Sequence, residues 1–399
     1  MLRKATMSSQ PSALRITIVG LVSLAIAMGI GRFAFTPLFP MMQENGLASI
    51  SDGGVLASVH FLGYLLGAVF AARLRFAPTS TLRFSLIAIA VCTLGMGLTN
   101  DLLLWLVFRW LCGVFSATTL MLVSNYYVKH LAVLGRPENQ GWVFAGVGAG
   151  IAVAGLGVMG FMLGGVGSSL GWRIMGALSL VAVLAVCLSL GPEIPRTPLA
   201  APNRASQRTP LIWSLVIAYG ATGLGYIIPA TYLPVMAREI VQSPIVFGWS
   251  WPVFGLAAFV STPLVVMLRK QFSNRQIWAV SQFTMAVGLI LPVAHPHIVT
   301  IIVAGICVGG TFMIITMMGM TEAHRLAPPH DVMRHIGAMT TAFASGQIIG
   351  PVFAGFIHDL SGSFSTSLLI TSVILIVTAL VLIVYAPKEV GREPVRKAG

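Results

Sequence analysis

Apolar runs long enough to cross a bilayer follow one another along almost the whole chain, and they constrain the fold more than any motif does. A hydrocarbon core about 30 Å thick needs about 20 apolar residues per spanning helix. Polar or Gly/Pro-rich breaks mark off twelve such runs, near 14–42, 52–74, 82–99, 102–128, 140–165, 173–191, 211–236, 246–268, 276–294, 298–320, 335–358 and 365–386. Backbone groups in lipid must be satisfied within the element, so runs of this length are helices. Twelve helices and short connections use nearly all 399 residues, which leaves no room for a sizeable soluble domain. Composition agrees: 56% of residues are hydrophobic and 9% charged, against roughly 25% charged in an ordinary soluble domain. The first run is too long for a signal peptide and lacks a clear small-residue cleavage site, so it reads as the first helix.

A net charge of +13 on a soluble chain would suggest a nucleic-acid partner, but here the placement of the charges excludes it. Every Lys and Arg except Arg32, Arg109, Arg173 and Arg238 falls at the N-terminus, the C-terminus or an even-numbered gap between spans. By the positive-inside rule both termini are then expected in the cytoplasm, with the plasma (inner) membrane as the site. Seven tryptophans near span ends (Trp105, Trp142, Trp172, Trp213, Trp249, Trp251, Trp278) are expected to form an interfacial belt. The four cysteines, Cys92, Cys112, Cys187 and Cys307, lie in apolar segments without metal-like spacing and read as small buried hydrophobes.

The chain divides in two. Residues 192–210 carry Pro192, Pro195, Pro198, Pro202 and Pro210 with three arginines, a stiff solvated linker between six-span halves at 1–191 and 211–399. The halves repeat. Gly29-Ile-Gly31, Pro40 and Met42 recur as Gly223-Leu-Gly225, Pro234 and Met236; Gly146, Gly150 and Gly155 recur as Gly346, Gly350 and Gly355; Gly113, Met121 and Lys129 align with Gly309, Met317 and Arg325. Parallel six-helix repeats place a substrate at the midplane between halves that rock to expose it alternately.

With these motifs in view, the chain resembles the major facilitator superfamily over its full length. Gly171-Trp172-Arg173, Asp359-Leu-Ser-Gly-Ser-Phe364 and Arg109-Trp-Leu-Cys-Gly113 are similar to its recurrent patterns. Gly29-Ile-Gly-Arg-Phe-Ala-Phe-Thr-Pro-Leu-Phe-Pro40, with Gly63-Tyr-Leu-Leu-Gly67, resembles the YbfB/YjiJ-like branch. The superfamily's Gly-x-x-x-Asp-Arg loop is altered, since Gly67 is followed by Ala71-Ala72-Arg73 without the acidic member. The resemblance implies a secondary transporter with spans one, four, seven and ten around a central cavity.

Arg32 is the sharpest single residue. It lies near the middle of the first span, where an arginine costs at least about 2.5–3.5 kcal/mol and needs a partner or a wet cavity. It reads either as an anion ligand or as a brace held by carbonyls or hydroxyls such as Thr36. Arg109, in the fourth span, reads equally as a cavity residue and as an internal tie to a neighbouring helix. Tyr226 occupies the repeat position of Arg32, with Tyr232 beyond it, and Thr311 and Thr316 sit near Met313 and Met317 in the tenth span. These threonines and tyrosines are expected to line the substrate site or simply to pack.

No acidic residue lies deep in a span, which disfavours lipophilic cations as substrates. His60 is the one deeply placed group that titrates near neutrality, and it reads either as a hydrogen-bonded packing residue, the commoner case for a lone membrane histidine, or as the proton-coupling group. Asp52 is expected to cap the second span and Asp359 to belong to a structural turn. The glycines 146, 150, 155, 346, 350 and 355 are expected to bring helices close at the moving interface, with a bend at Gly350-Pro351.

An enzyme is disfavoured, because no His-Glu-x-x-His, Gly-x-Ser-x-Gly or intramembrane carboxylate pair is present. The reading is an all-α membrane protein and secondary active transporter of a small organic solute, anionic in the sharper version, working by alternating access. Export of hydrophobic drugs or metabolites is the alternative within transport, and a passive channel or facilitator is the alternative outside it. Expected partners are the small-molecule substrate, the lipid bilayer and protons as coupling ion. No nucleic acid, metal or cofactor is expected, and the chain is expected to act as a monomer.

Overall fold

The computed structural model describes residues 12–71, 77–190, 209–328 and 331–384. Most of the 192–210 linker, the Ala72-Arg73 loop and the basic chain ends lie outside the described residues. Twelve helices are long and apolar enough to cross a membrane. We number them α1 (Ala13–Glu44), α2 (Ile50–Ala71), α3 (Pro78–Gly95), α4 (Leu102–Leu122) and α5 (Gln140–Leu163). The remainder are α6 (Ser168–Ser189), α7 (Trp213–Ile240), α8 (Pro244–Leu268), α9 (Asn274–Ala294), α10 (Ile298–Leu326), α11 (Val332–Ser361) and α12 (Ser365–Val384). Odd-numbered helices run away from the face that holds residues 12 and 384, called here the terminal face. Even-numbered helices return to it.

The two halves pack alike. α1 lies on α5 and α2 on α4 in the first half, as α7 lies on α11 and α8 on α10 in the second. α3 meets α4 and α6, as α9 meets α10 and α12. Across the halves the main seams are α2 on α11 and α5 on α8. α6 and α12 turn rows of large apolar side chains outward, among them Val181, Leu184, Leu188, Val377 and Val384, the surface a lipid solvent would cover.

Glycine sets the close approaches. A Cβ on Gly29 would lie 2.4 Å from the Gly150 Cα, and one on Gly223 would lie 2.2 Å from the Phe343 carbonyl oxygen. The repeat seen in the sequence is thus a repeated helix contact, α1 on α5 and α7 on α11. Of the six glycines expected at the moving interface, Gly146, Gly150, Gly346 and Gly350 seat helices within a half, against Leu21, Ala25, Leu224 and Ile227. Gly155 and Gly355 face the other half, at Pro252 and Ile50. Gly54, Gly148 and Gly255 also do so, and the sequence reading did not single them out.

Three local expectations are corrected. Trp105, Trp172, Trp251 and Trp278 are buried inside the bundle, and only Trp142, Trp213 and Trp249 are exposed enough to form a belt. Ser49, not Asp52, caps α2: its hydroxyl accepts the Asp52 N–H at 3.1 Å while the Asp52 carboxylate accepts the Ser49 N–H at 2.9 Å, a reciprocal capping box. Asp359 lies in the last turn of α11 and accepts the Ser51 hydroxyl from α2, so it ties the halves together.

Candidate substrate site

Helix α1 is irregular where its sequence obliges it to be. Residues Ala25–Ile30 form a π-turn, in which the Gly31 N–H reaches back to the Ile26 carbonyl. Such turns collect at functional positions because they free a carbonyl and shift side chains around the axis. A second break follows at Ala34, three residues before Pro37, whose ring has no N–H for the Phe33 carbonyl.

Helix α4 supplies the donors for this disturbed stretch. Ser116 Oγ donates to the Ala27 carbonyl at 2.8 Å. Arg109 Nη1 donates to the carbonyls of Gly31 (3.2 Å) and Arg32 (3.4 Å), and its Nε reaches the Leu56 carbonyl at 3.5 Å. The guanidinium also lies 4.7 Å from the centre of the Phe35 ring. Arg109 is therefore buried on the backbone of α1 and α2. Ser116 carries no signal in the sequence, since a mid-helix serine has no signature apart from the neighbour it bonds.

The geometry at α1 and α7 follows the repeat. Arg32 donates through Nη2 to the Tyr226 hydroxyl, and Thr36 Oγ1 donates to the Ala230 carbonyl at 2.6 Å; both pairs are 194 residues apart. Glu44 and Arg238, with the same separation, form an ion pair at 3.4 Å, while Arg238 also donates to the Pro40 carbonyl at 2.7 Å. Residues equivalent in the two halves thus meet each other at three levels of α1, so the pseudo-twofold axis runs between α1 and α7. The Ala230 carbonyl is open to Thr36 because Pro234, four residues on, has no N–H to give it.

Arg32 sits at the mid-helix end of this seam, 4% exposed and surrounded by aromatic rings. Its guanidinium carbon lies 4.8, 4.7, 5.2 and 5.9 Å from the ring centres of Phe33, Phe61, Tyr64 and Tyr226. Cation–π contacts contribute about 0.5–1 kcal/mol at exposed sites and about 2 kcal/mol when desolvated. Among the described residues no carboxylate pairs with it, and its Nε meets no hydrogen-bond partner. Thr36 does not hold it. Tyr226 is itself clamped, with Phe312 stacked on it at 5.2 Å and Phe343 at 5.5 Å. Its hydroxyl also accepts from the Gln347 side-chain amide of α11, a residue the sequence reading passed over.

Other expected lining residues stand apart from Arg32 or turn inward on their own helices. Tyr232 donates to the Pro351 carbonyl at 2.9 Å, further toward the face opposite the termini. Thr311 and Thr316 donate to the carbonyls four residues back, at 2.6 and 2.9 Å, leaving Thr316 half-buried beside Met313 and Met317. His60 is fully buried on α2, edge-on to Phe61 at 5.5 Å, and neither ring nitrogen meets a hydrogen-bond partner among the described residues. Arg32 and Arg109 are the charged side chains that act on it. No cluster of side chains suited to a metal ion occurs among the described residues.

The described hydrogen bonds between the halves run from the level of Arg32 and Ser58 to the face opposite the termini, where Ser51–Asp359, Tyr232–Ile50 and Arg238–Pro40 close the seam. Two pseudo-symmetric bundles meeting around a midplane cation have the build of a major facilitator transporter. The chain belongs to the family described as "Uncharacterised MFS-type transporter YbfB", whose model matches residues 24–383. That is a family of transporters and not of enzymes.

Among curated proteins, the chain is similar to the class C tetracycline resistance protein of Escherichia coli, 24% identical over 36% of this chain and 37% of that one. It is also similar to the MFS-type transporter YceJ of Bacillus subtilis (strain 168), 26% identical over 45% of this chain and 46% of that one. The matches span less than half the length of these relatives. In fold, it resembles a D-xylose-proton symporter (TM-score 0.75, 13% identity, covering 94% of this chain and 98% of that one). It also resembles the D323A mutant of the nucleoside transporter NupG (TM-score 0.71, 15% identity, covering 93% and 98%).

Proposed function

We propose that the protein is a secondary active transporter of a small organic anion, bound at Arg32 between α1 and α7 and carried by alternating access. One observation carries the reading: a guanidinium buried at mid-helix, on the axis between the halves, with no carboxylate to balance it among the described residues. A charge in that position is expensive, and pairing with an anionic solute lowers the cost at the moment of transport. The aromatic cage supplies apolar contact for the solute's carbon frame. The hydrogen bonds at the face opposite the termini support a state closed on that side. With the termini in the cytoplasm, as the basic gaps indicate, that closed side is the outside of the plasma membrane. We take the functional unit as a monomer.

The test is thermal unfolding of the purified protein against carboxylates, phosphates, neutral sugars and lipophilic cations, on wild type and Arg32→Ala. A ligand at 100 times its dissociation constant stabilises by about 2.7 kcal/mol. The expected result is stabilisation by one class of anion in wild type and none in a folded Arg32→Ala. Equal stabilisation of both proteins by lipophilic cations would replace this reading with export of hydrophobic compounds.

Coupling is assigned to His60. It lies one aromatic ring from Arg32, and an anion on Arg32 would make a proton on the neighbouring imidazole less unfavourable, so anion and proton would travel together. His60→Gln is expected to abolish accumulation driven by a pH gradient while leaving anion exchange in preloaded vesicles. Gradient-driven accumulation at the wild-type level in that variant would remove His60 from the mechanism.

A further inference from the structure

Among the described residues, Arg32 and Gln347 each leave one buried polar atom without a partner, and the two atoms are complementary. Arg32 Nε can only donate, and Gln347 Oε1 can only accept. Both side chains meet at the same hydroxyl, that of Tyr226, which receives Arg32 from α1 and the Gln347 amide nitrogen from α11. Gln347 is fully buried, and a buried amide oxygen with no donor needs a physical account.

A second glutamine in the same half makes the contrast. Gln282 is equally buried, yet its oxygen accepts from Trp278 Nε1 at 2.9 Å and from Thr222 Oγ1 at 3.4 Å. Its nitrogen donates to Thr378 Oγ1 and, at 3.4 Å, to the Leu375 carbonyl. Gln282 is thus satisfied at both ends. Gln347 is satisfied at one end, and its open end belongs to the cluster around Arg32.

We infer that Gln347 determines specificity: the transported anion carries a hydroxyl group beside its charged group, and that hydroxyl is taken by the Gln347 side-chain amide. The inference rests on the anion reading of Arg32 and adds the second half of the recognition. Arg32 belongs to the first half of the protein and Gln347 to the second. A 2-hydroxy carboxylate engages both and bridges the halves. The unsubstituted acid reaches only Arg32 and leaves the buried amide oxygen unpaired. A site built to bond a substrate hydroxyl discriminates strongly against the analogue that lacks it, for that reason. The rings of Phe312 and Phe343, which clamp Tyr226, hold the hydroxyl between the two groups in a fixed place.

The experiment measures binding of matched acid pairs, 3-phenyllactate with 3-phenylpropionate and malate with succinate, by thermal shift and competition. Wild type is expected to favour the hydroxylated member of at least one pair by about tenfold or more. In Gln347→Leu the ratio is expected to fall to about one, while the unsubstituted acid keeps an affinity that Arg32→Ala removes. A ratio unchanged in Gln347→Leu, with binding still dependent on Arg32, overturns this inference and leaves the anion reading standing. Absence of Arg32-dependent binding by any of the acids overturns both. Should Gln347→Leu not fold, Gln347→Glu serves: its carboxylate would stand where Arg32 can pair with it. That variant is expected to lose binding of all four acids without a lower melting temperature. Wild-type anion affinity in Gln347→Glu would overturn the inference.

Discussion

Arg109→Leu is expected to abolish transport and to destabilise the protein by several kcal/mol, although Arg109 is not placed to touch a solute. Leucine removes the donors from the Gly31 and Arg32 carbonyls, which lie just before the break in α1. Each buried polar group left unpaired costs about 1–3 kcal/mol, and the contact with the Phe35 ring goes as well. The break in α1 also carries the backbone of Arg32, so its release moves the guanidinium away from Tyr226. Arg109→Lys is expected to retain part of the stability and little of the transport, because a single ammonium cannot span two carbonyls and stack on a ring. Melting temperature and vesicle uptake, measured together on both variants, decide the matter. Wild-type transport by Arg109→Leu would show that α1 holds its shape without α4.

Gly29→Val is expected to leave little folded protein. A Cβ at Gly29 would lie 2.4 Å from the Cα and 2.6 Å from the carbonyl carbon of Gly150, so it meets backbone, which cannot rotate away. Overpacking costs about 1–3 kcal/mol where side chains can yield, and more where they cannot. The only relief is to part α1 from α5, which would also break the seating of Gly146 and Gly150 on Leu21 and Ala25. Gly160→Val on the same α5 is the control, since nothing lies within 4 Å of a Cβ there. Size-exclusion profiles of the two variants in mild detergent should differ sharply. A normal monodisperse peak for Gly29→Val would mean that the α1–α5 contact is looser than described.

Much of the candidate site was legible in single residues, for a physical reason. Arg32 stands out because lipid makes a mid-span cation costly, so such a residue in a sequence announces a partner or a ligand. Tyr226 followed from the 194-residue repeat, and its contact with Arg32 shows that the repeat pairs equivalent residues across the axis. Gln347, Ser116 and Trp251 carried no comparable signal. A glutamine, serine or tryptophan in a span is ordinary, and only its neighbours reveal whether its polar atoms are satisfied. Trp251 is buried against Phe33 at 5.9 Å with its indole N–H unpaired, where its sequence position near a span end had suggested an interfacial role.

The class of protein was written in the chain itself: twelve spans and two related halves follow from hydropathy and repetition, which are local properties that lipid enforces residue by residue. The membership of the site was not, because it depends on which helices touch. The tertiary structure decided that Arg109 ties backbone, that His60 and Gln347 are buried with polar atoms open among the described residues, and that Gly155 and Gly355 meet the other half while Gly146, Gly150, Gly346 and Gly350 seat helices within their own. Those are facts about contacts between residues far apart in sequence, and a hydropathy pattern repeated every turn contains no record of them.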